Sequence, residues 1–592
     1  VTLDPPDHAR GNDLGGGIGC GTRHPSKCLQ ESECGNIFES VFNAFCHPCY
    51  LRILRRLLRE AAMMTRAMQR PETHRLNETL ILLLMAVICY VFFFHGLGSI
   101  GLLGPDEPRY ASVAREMYQT GDYVTPRLHG MTWFEKPVLL YWTAALSFAL
   151  FGVNEFAARF PSALMATVSV FLTYFVSRRL WGQASGVAAG LLLASSVGYF
   201  TFGRAASTDM LLTACLTLAL LSFLMGYNAR DPGRRGWFAA FYALIGFGAL
   251  AKGPVAILLP AISLAGFLLF RGRRGEWKEW YPLLAVITLA VAAPWYIAVI
   301  RANGFNFVEV FFINQNFERL TSTVHGHQRP FYFYIPVLLM LTFPWTFMMI
   351  PGLRRTFDRN DRLLLWFAIV PIVFFSLSGS KLPGYILPSV PPIVMLCARG
   401  VSKVSTRAFR IAVYIEAGMM LFIGLAFGFF GEMLNVDPHI SGAKITIIAF
   451  AMAAALALIA TWLNPPILVG FNALSMALIV LIATNYVLPR FETTDTMRPW
   501  RPVLQTIIPD DQTVFMFRPS RWMEYGMQFY RFNRAQGVWS EEELATVLSM
   551  RTKALFVSDD KGLDELSAIA GMEIKIVTTV GNQSVFWVNR EE

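Results

Sequence analysis

Charge is what this sequence has least of. Only 16% of its residues are Asp, Glu, Lys or Arg, against about a quarter in an ordinary soluble protein. So few charges cannot coat a surface facing water. Apolar residues make up 54% of the chain and its mean hydropathy is +0.44, so lipid is its main solvent. The formal charge of +10 is not a nucleic-acid signature. The basic residues cluster in short loops between apolar runs, where they set orientation.

Cysteine is scarce beyond the N-terminal stretch, which holds five of the eight (Cys20, Cys28, Cys34, Cys46, Cys49). Cys46-His-Pro-Cys49 has the spacing of half a zinc site or a redox pair. No second CxxC or His pair follows at a suitable distance, which argues against a metal there. The sequence lacks a starting Met, and Met63, Met64 or Met68 are candidate starts. Residues 1–75 read as a disordered extension or a misplaced start. A cleavable signal peptide is absent by pattern, because the first apolar run is long and follows a mostly polar stretch. That run is expected to act as an uncleaved anchor.

Long apolar runs are plentiful. Candidates begin near Leu80, Ala157, Ala184, Met210, Trp237, Pro254, Tyr281, Phe331, Leu363, Tyr385, Ala408, Ile440 and Pro466, about thirteen spans at roughly 20 residues each. Basic connections include Arg178-Arg179, Arg230 with Arg234-Arg235, Arg271 to Lys278, Arg354 to Arg362, and Arg399 to Arg410. The positive-inside rule puts these in the cytoplasm, with the N-terminus in and the C-terminus out. Pro137 to Gly152 is apolar but short, and counting it as a span would invert every later basic loop. It reads as an interfacial helix in a long first outer loop, 99–156, within a membrane region of 76–489.

After Val487 the composition changes. Thr513-Val-Phe-Met-Phe, Ala554-Leu-Phe-Val-Ser, Glu573-Ile-Lys-Ile-Val and Ser584-Val-Phe-Trp-Val read as strands alternating with helical stretches. Ser540-Glu-Glu-Glu543 is a capping box opening a helix. Residues 490–592 are expected to form a small α/β domain outside the membrane. It has no Gly-rich phosphate loop, metal cluster or nucleophile motif, which leaves it a structural or acceptor-orienting role.

The predicted outer loops carry acids and bases together. The first holds Gly104-Pro-Asp-Glu-Pro-Arg-Tyr110, an amphipathic helix from Ala111 to Tyr118, and Trp133-Phe-Glu-Lys-Pro137. Others hold Gly203-Arg-Ala-Ala-Ser-Thr-Asp209, Lys252, the stretch Asn303 to Arg329, and Ser378-Gly-Ser-Lys-Leu-Pro-Gly-Tyr385. Each has a bland reading: Asp106 and Asp209 as helix caps, Glu135-Lys136 as a surface ion pair of little value. Ionisable groups at span mouths are costly unless paired, and their concentration on one face favours function. Trp133, Trp295, Tyr296, Trp345 and Tyr332 to Tyr334 read as an interfacial aromatic belt.

This order of motifs resembles the C-type glycosyltransferase superfamily, in particular the branch of protein O-mannosyltransferases and of aminoarabinose transferases that modify lipid A. Asp106-Glu107, Phe134-Glu-Lys-Pro137, Arg204 with Asp209, and Ser380-Lys-Leu-Pro-Gly-Tyr-Ile-Leu-Pro388 carry the resemblance, which covers roughly residues 76–592. It implies an α-helical polytopic membrane protein of GT-C type, with about 13 transmembrane helices and the small C-terminal α/β extramembrane domain. It also implies an inverting transfer of 4-amino-4-deoxy-L-arabinose from undecaprenyl phosphate to a lipid A phosphate. The setting would be the periplasmic face of a bacterial inner membrane, and the product would confer polymyxin resistance.

The expected roles follow from that chemistry. Asp106, Asp209 and Glu135 are the candidate catalytic carboxylates. Arg109, Tyr110, Lys136, Arg204, Lys252, Lys381 and Tyr385 are candidates for binding substrate and for neutralising the phosphate left behind. No cofactor is expected to be required. A divalent ion held by Glu135 with His325 or His327 is the alternative. The expected partners are the lipid-linked sugar donor, lipid A and membrane lipids. The residues admit two other readings, a protein-glycosylating transferase and a lipid flippase. The second predicts midplane charges and matching halves, and the sequence shows neither.

Overall fold

The computed structural model describes residues 74–229, 233–269, 280–318, 329–348, 358–401, 406–433, 450–455, 465–551, 553–569 and 571–590, with 447 and 458 besides. The Cys46/Cys49 pair, His325, His327 and the loop Arg271 to Lys278 lie outside the described residues, as does most of the span expected near Ile440. The chain divides into two compact units, Val1–Leu80 and Ile81–Glu592. Nearly all of the first lies outside the described residues, so the architecture below is that of the second.

Helix α1 (His74–Cys89) runs into a wide π-type turn, Tyr90–Phe94. Then come α2 (Asp106–Thr120), a two-stranded hairpin of β1 (Arg127–Leu128) and β2 (Met131–Thr132), and α3 (Leu139–Phe151). A helical body follows: α4 (Glu155–Trp181), α5 (Gln183–Ser195), α6 (Val197–Gly203), α7 (Thr208–Asn228), α8 (Arg234–Lys252), α9 (Val255–Leu269) and α10 (Val286–Asn303). It continues with α11 (Tyr334–Thr342), α12 (Arg359–Ser376), α13 (Val390–Val401), α14 (Thr406–Met433) and α15 (Pro465–Ile482).

Among the described residues four helical stretches are long and apolar enough to cross a membrane: Glu155–Trp181, Thr208–Asn228, Pro282–Asn303 and Val469–Val487. The pair α5 and α6, bent by 62°, makes a fifth if it is one span. With 21 residues, α7 is roughly 31 Å long, the thickness of the hydrocarbon layer. Its apolar stretch is 89% buried, whereas that of Pro282–Asn303 is 22% buried. A helix apolar all round belongs in the middle of a bundle or in lipid. Here α7 is the central helix, packed against α4 and α8, and α10 turns most of its surface outward.

The span expected from Ala184 is broken at Ser196, whose backbone is extended. Ser195 and Ser196 donate their hydroxyls to the carbonyls of Leu191 (2.5 Å) and Leu192 (2.6 Å), a local competition that loosens the helix ladder. The Val197 amide instead donates to the Phe343 carbonyl at 2.8 Å. The apolar stretch 137–152 forms α3, whose 13 residues reach only about 20 Å.

The expected amphipathic helix is longer than its pattern suggested, and its polar side is covered. In α2 every residue from Glu107 to Met117 is buried. Part of the cover comes from the C-terminal part of the chain, which contains α16 (Trp500–Ile507), β3 (Val514–Phe517), α17 (Arg521–Tyr530), β4 (Ala535–Val538), α18 (Glu541–Met550), β5 (Lys553–Asp559), α19 (Asp560–Ser567), β6 (Met572–Val580) and β7 (Gln583–Arg590). The sheet order is β4-β3-β5-β7-β6. Strands β4, β3 and β5 are parallel, and β5, β7 and β6 pair antiparallel. Strand β4 was not legible in the sequence, because Ala-Gln-Gly-Val lacks both alternation and β-branched residues in number.

Alternation puts Phe515, Phe517, Phe556 and Phe586 on one face with Leu544, Leu548 and Leu566 from α18 and α19. Each such Phe stabilises the fold by about 1.5–3 kcal/mol. The opposite face, with Met516, Leu555 and Val557, joins Trp500 and Met527 in the core shared with the helical body. Ser540 caps α18, accepting the Glu543 amide.

Polar stitches fasten this part to the first loop. Arg115 donates to the Phe529 carbonyl (2.5 Å) and to Asn533 Oδ1 (2.6 Å), and Arg498 donates to the carbonyls of Gly98 (3.0 Å) and Ser99 (2.7 Å).

The aromatic belt needs correction at three positions, one of them Tyr334, which is buried with its hydroxyl donating to the Leu382 carbonyl (3.3 Å). Trp295 and Trp345 are buried in protein. Their indole N–H groups donate to the Val124 carbonyl (3.0 Å) and to Ser195 Oγ (3.0 Å). Near a span end, an indole can satisfy its one donor inside the bundle as well as at the membrane surface.

Candidate functional site

The site grows from the start of α2. Gly104 takes a positive φ of 60°, which turns the chain so that Asp106 and Arg109 fall in the first helical turn. The caps differ from the expectation. Pro105 occupies the N-cap of α2, and Ser207 caps α7 by accepting the Asp209 amide at 3.1 Å. Neither aspartate is used up as a cap. Asp106 is spaced three residues before Arg109 on one helix face, and Arg109 Nη2 meets its Oδ1 at 2.6 Å. The same Nη2 lies 3.2 Å from Oε2 of Glu135, whose Oε1 is 3.3 Å from Lys136 Nζ. Glu135-Lys136 is therefore not a surface ion pair, since both side chains are mostly covered.

Arg109 is 4% exposed while Asp106 is 62% exposed, so the guanidinium lies at the back of the site and the carboxylate at its rim. Three rings surround the guanidinium carbon: Tyr110 at 5.1 Å, Trp133 at 5.6 Å and Tyr525 at 5.7 Å from their centroids. Burial alone would lower the basicity of Arg109. The carboxylates of Glu135 and Asp106, with a hydrogen bond to Tyr110, outweigh it and raise the value. Tyr110 itself is pushed up by burial and by the same two carboxylates, so its phenol stays neutral.

A second cluster sits at the start of α7. Lys252, the last residue of α8, is ion-paired with Asp209 Oδ1, and its Nζ lies 4.5 Å from the Tyr385 ring centroid. The turn preceding α13 approaches Asp209 through Gly384. A Cβ there would fall 2.8 Å from Asp209 Cγ and 2.8 Å from Phe202 Cε1. Gly384→Ala is accordingly expected to lower stability by about 1–3 kcal/mol, the scale of an overpacked contact. An unchanged melting temperature of this variant in detergent would show that the approach does not matter.

Two expected residues stand apart from these clusters. Lys381 is buried and donates to the Ser378 carbonyl at 2.6 Å. Arg204 donates to the carbonyls of Phe92 (3.3 Å) and Gly96 (3.4 Å) rather than to Asp209. Burial, with the Arg159 charge behind it, pushes the Arg204 guanidinium down to about 10. Glu135, expected in the metal alternative to share an ion with His325 or His327, faces two cations. Among the described residues no group of three or more His, Cys, Asp or Glu side chains is arranged to hold a metal ion.

The residue that ties the clusters together was read in the sequence only as half of an acidic pair. Glu107 is buried and accepts two bonds from Arg159, at 3.0 Å on Oε1 and 2.6 Å on Oε2. It also accepts the Leu103 amide (2.8 Å) and the Ala206 amide (2.8 Å). Arg159 in turn donates to the carbonyls of Leu97, Ile100 and Gly101 at 2.7–2.9 Å. Burial works to raise the Glu107 carboxyl, but Arg159 and the two amides outweigh it and hold it below the usual carboxylate range. Asp106 is its neighbour in sequence and Ala206 lies three residues before Asp209, so this pair sets one half-site against the other. Arg159 was missed, although a lone Arg near the end of an apolar span is itself a signal.

Residues 135–297 match the family model described as dolichyl-phosphate-mannose-protein mannosyltransferase. The chain is 36% identical over 323 residues to undecaprenyl phosphate-alpha-4-amino-4-deoxy-L-arabinose arabinosyl transferase 1 of Pseudomonas fluorescens Pf0-1, covering 53% of this chain and 56% of that protein. The transferase of the same name from Pseudomonas aeruginosa LESB58 is 34% identical over 359 residues, covering 59% of this chain and 64% of the relative. The matched stretches thus span less than two thirds of these relatives.

The crystal structure of ArnT from Cupriavidus metallidurans bound to undecaprenyl phosphate superposes with a TM-score of 0.73 at 25% identity, covering 86% of this chain and 97% of that one. The chain has the GT-C fold of that multi-pass membrane protein, and the resemblance drawn from its four motifs is upheld.

Proposed function

We propose that this protein is an inverting glycosyltransferase that moves 4-amino-4-deoxy-L-arabinose from undecaprenyl phosphate to a phosphate of lipid A. The observation that carries the reading is Arg109, a buried guanidinium held by Asp106 and Glu135 and ringed by aromatics. When the C1–O bond of the donor breaks, its electron pair stays on the polyprenyl phosphate, and the site must meet that charge. A cation already fixed in a water-poor pocket does so without reorganisation. Arg109 and Lys136 take that role.

An acceptor phosphate oxygen attacks C1 from the opposite side, inverting it in one displacement. With a second phosphate pKa near 6, the acceptor is largely anionic at neutral pH and needs no strong base. Asp106, at the exposed rim, orients it and takes any residual proton. Asp209, held by Lys252, is suited to grip the cationic amine of the donor sugar. No metal takes part in this scheme, and chelator-insensitive transfer is its expected signature.

The reading includes about thirteen spans, an inner-membrane location, a cytoplasmic N-terminus and a periplasmic α/β domain at 490–592. Cysteine labelling should find positions 106 and 209 reactive from the same, periplasmic side. The function is tested by mass spectrometry of lipid A from cells with and without the protein. One aminopentose increment that depends on the protein, and vanishes in Asp106→Asn, is the expected result. A change in glycoproteins with unaltered lipid A would replace this reading with protein glycosylation.

A further inference from the structure

The C-terminal part of the chain reaches into the candidate site. Helix α17 places Tyr525 against the Arg109 guanidinium at 5.7 Å. The same ring is met by a second guanidinium, that of Arg521, at 5.9 Å. Two cations within 6 Å of one ring centroid are less than about 12 Å apart, by the reach of a cation–π contact on each side.

Their situations differ. Arg109 is buried and ion-paired with two carboxylates. Arg521 is exposed, and among the described residues no carboxylate lies within ion-pair distance of it. Glu524, one turn along α17, is the acid that feels its charge.

A ring shared by a sequestered and an accessible guanidinium suits a reaction with two anions. Donor and acceptor phosphates must lie on opposite sides of one anomeric carbon, so the site needs two separate cationic holds. Arg109 sits deep, where a leaving phosphate would be shielded from water. Arg521 sits at the surface, where an incoming lipid headgroup first arrives, and its planar fork matches two phosphate oxygens. The ring also stiffens Arg521, which lessens the rotamer entropy lost on binding.

We infer that α17 supplies two side chains to the transfer site: Arg521 binds the anionic phosphate of the acceptor, and Tyr525 is the positioning residue that holds both guanidiniums. The inference rests on the proposed transfer to a phosphate acceptor.

The test is steady-state transfer by the full-length protein in detergent, with purified lipid A and polyprenyl-linked donor varied separately. Arg521→Gln should raise KM for lipid A roughly tenfold, the scale of one lost charge-assisted contact, and leave KM for the donor and the turnover at saturating lipid A unchanged. Arg521→Lys should recover part of the loss. Tyr525→Phe, which keeps the ring, should resemble wild type, and Tyr525→Ala should impair both substrates. An unchanged lipid A KM in Arg521→Gln overturns the inference, as does an equal change in both KM values with a lowered melting temperature. If the wild-type protein itself transfers nothing to lipid A, the proposed function fails and the inference falls with it. Wild-type transfer with an indifferent Arg521 removes only the inference.

Discussion

Glu107→Ala is expected to lower the stability of the protein by about 3–5 kcal/mol, the cost of breaking a buried ion pair from one side. The Arg159 guanidinium would keep its carbonyl partners at Leu97, Ile100 and Gly101 but lose the only carboxylate it touches among the described residues. The amides of Leu103 and Ala206 would lose their acceptor as well. Thermal unfolding followed by tryptophan fluorescence in detergent measures the loss. Glu107→Gln, which keeps an oxygen acceptor without the charge, should fall between the two. A double variant, Glu107→Leu with Arg159→Met, should be less destabilised than the sum of the singles, because neither charge is then stranded.

The pH dependence has a definite sign. The folded carboxyl of Glu107 is held below its usual range, so its contribution is complete above the unfolded value of about 4.3. It disappears only as the pH falls through the lowered native value. Stability should therefore be insensitive to this group from about pH 5 upward, and Glu107→Gln should lose part of the decline seen on further acidification. A Glu107→Ala protein that melts with the wild type would show that the pair does not hold the loop.

The second large effect is on chemistry rather than stability. Arg109→Lys is expected to reduce kcat by about a hundredfold or more, in line with removing one preorganised partner of developing charge. The substitution keeps a positive charge, and charge alone is not what the site uses. One planar guanidinium serves Asp106, Glu135 and three rings at once, which a compact ammonium on a flexible stem cannot do. Single-turnover transfer with excess protein separates this loss from weaker donor binding. If Arg109→Lys turned over like the wild type, the fixed guanidinium would have no special role.

Much of this site was visible in the linear chain. Asp106, Arg109, Glu135, Lys136, Asp209 and Lys252 were all picked out as outer-loop charges, and each is found in one of the two clusters. What misled was treating each charge in its own loop. Glu135 and Lys136, both singled out for function, could each still be given a bland reading because their third member, Arg109, is 26 residues away. Tyr525 carried no signal, being one aromatic in a helix more than four hundred residues from the guanidinium it touches. Trp345 shows the reverse: its position near a span end suggested the membrane surface, and a hydrogen bond to Ser195 keeps it inside the bundle.

The amino-acid sequence by itself determined the solvent and the class of this protein. Hydropathy is summed over local stretches, so the apolar runs, the basic connections and four of the five strands after Val487 could be read without knowing what they pack against. Tertiary structure alone decided which charges meet, because a pairing across the bundle depends on how helices lean together and not on spacing along the chain. Glu107 and Arg159 are 52 residues apart in sequence. Only the packing of α4 beside the loop brings them into contact, and that contact aligns the rest of the site.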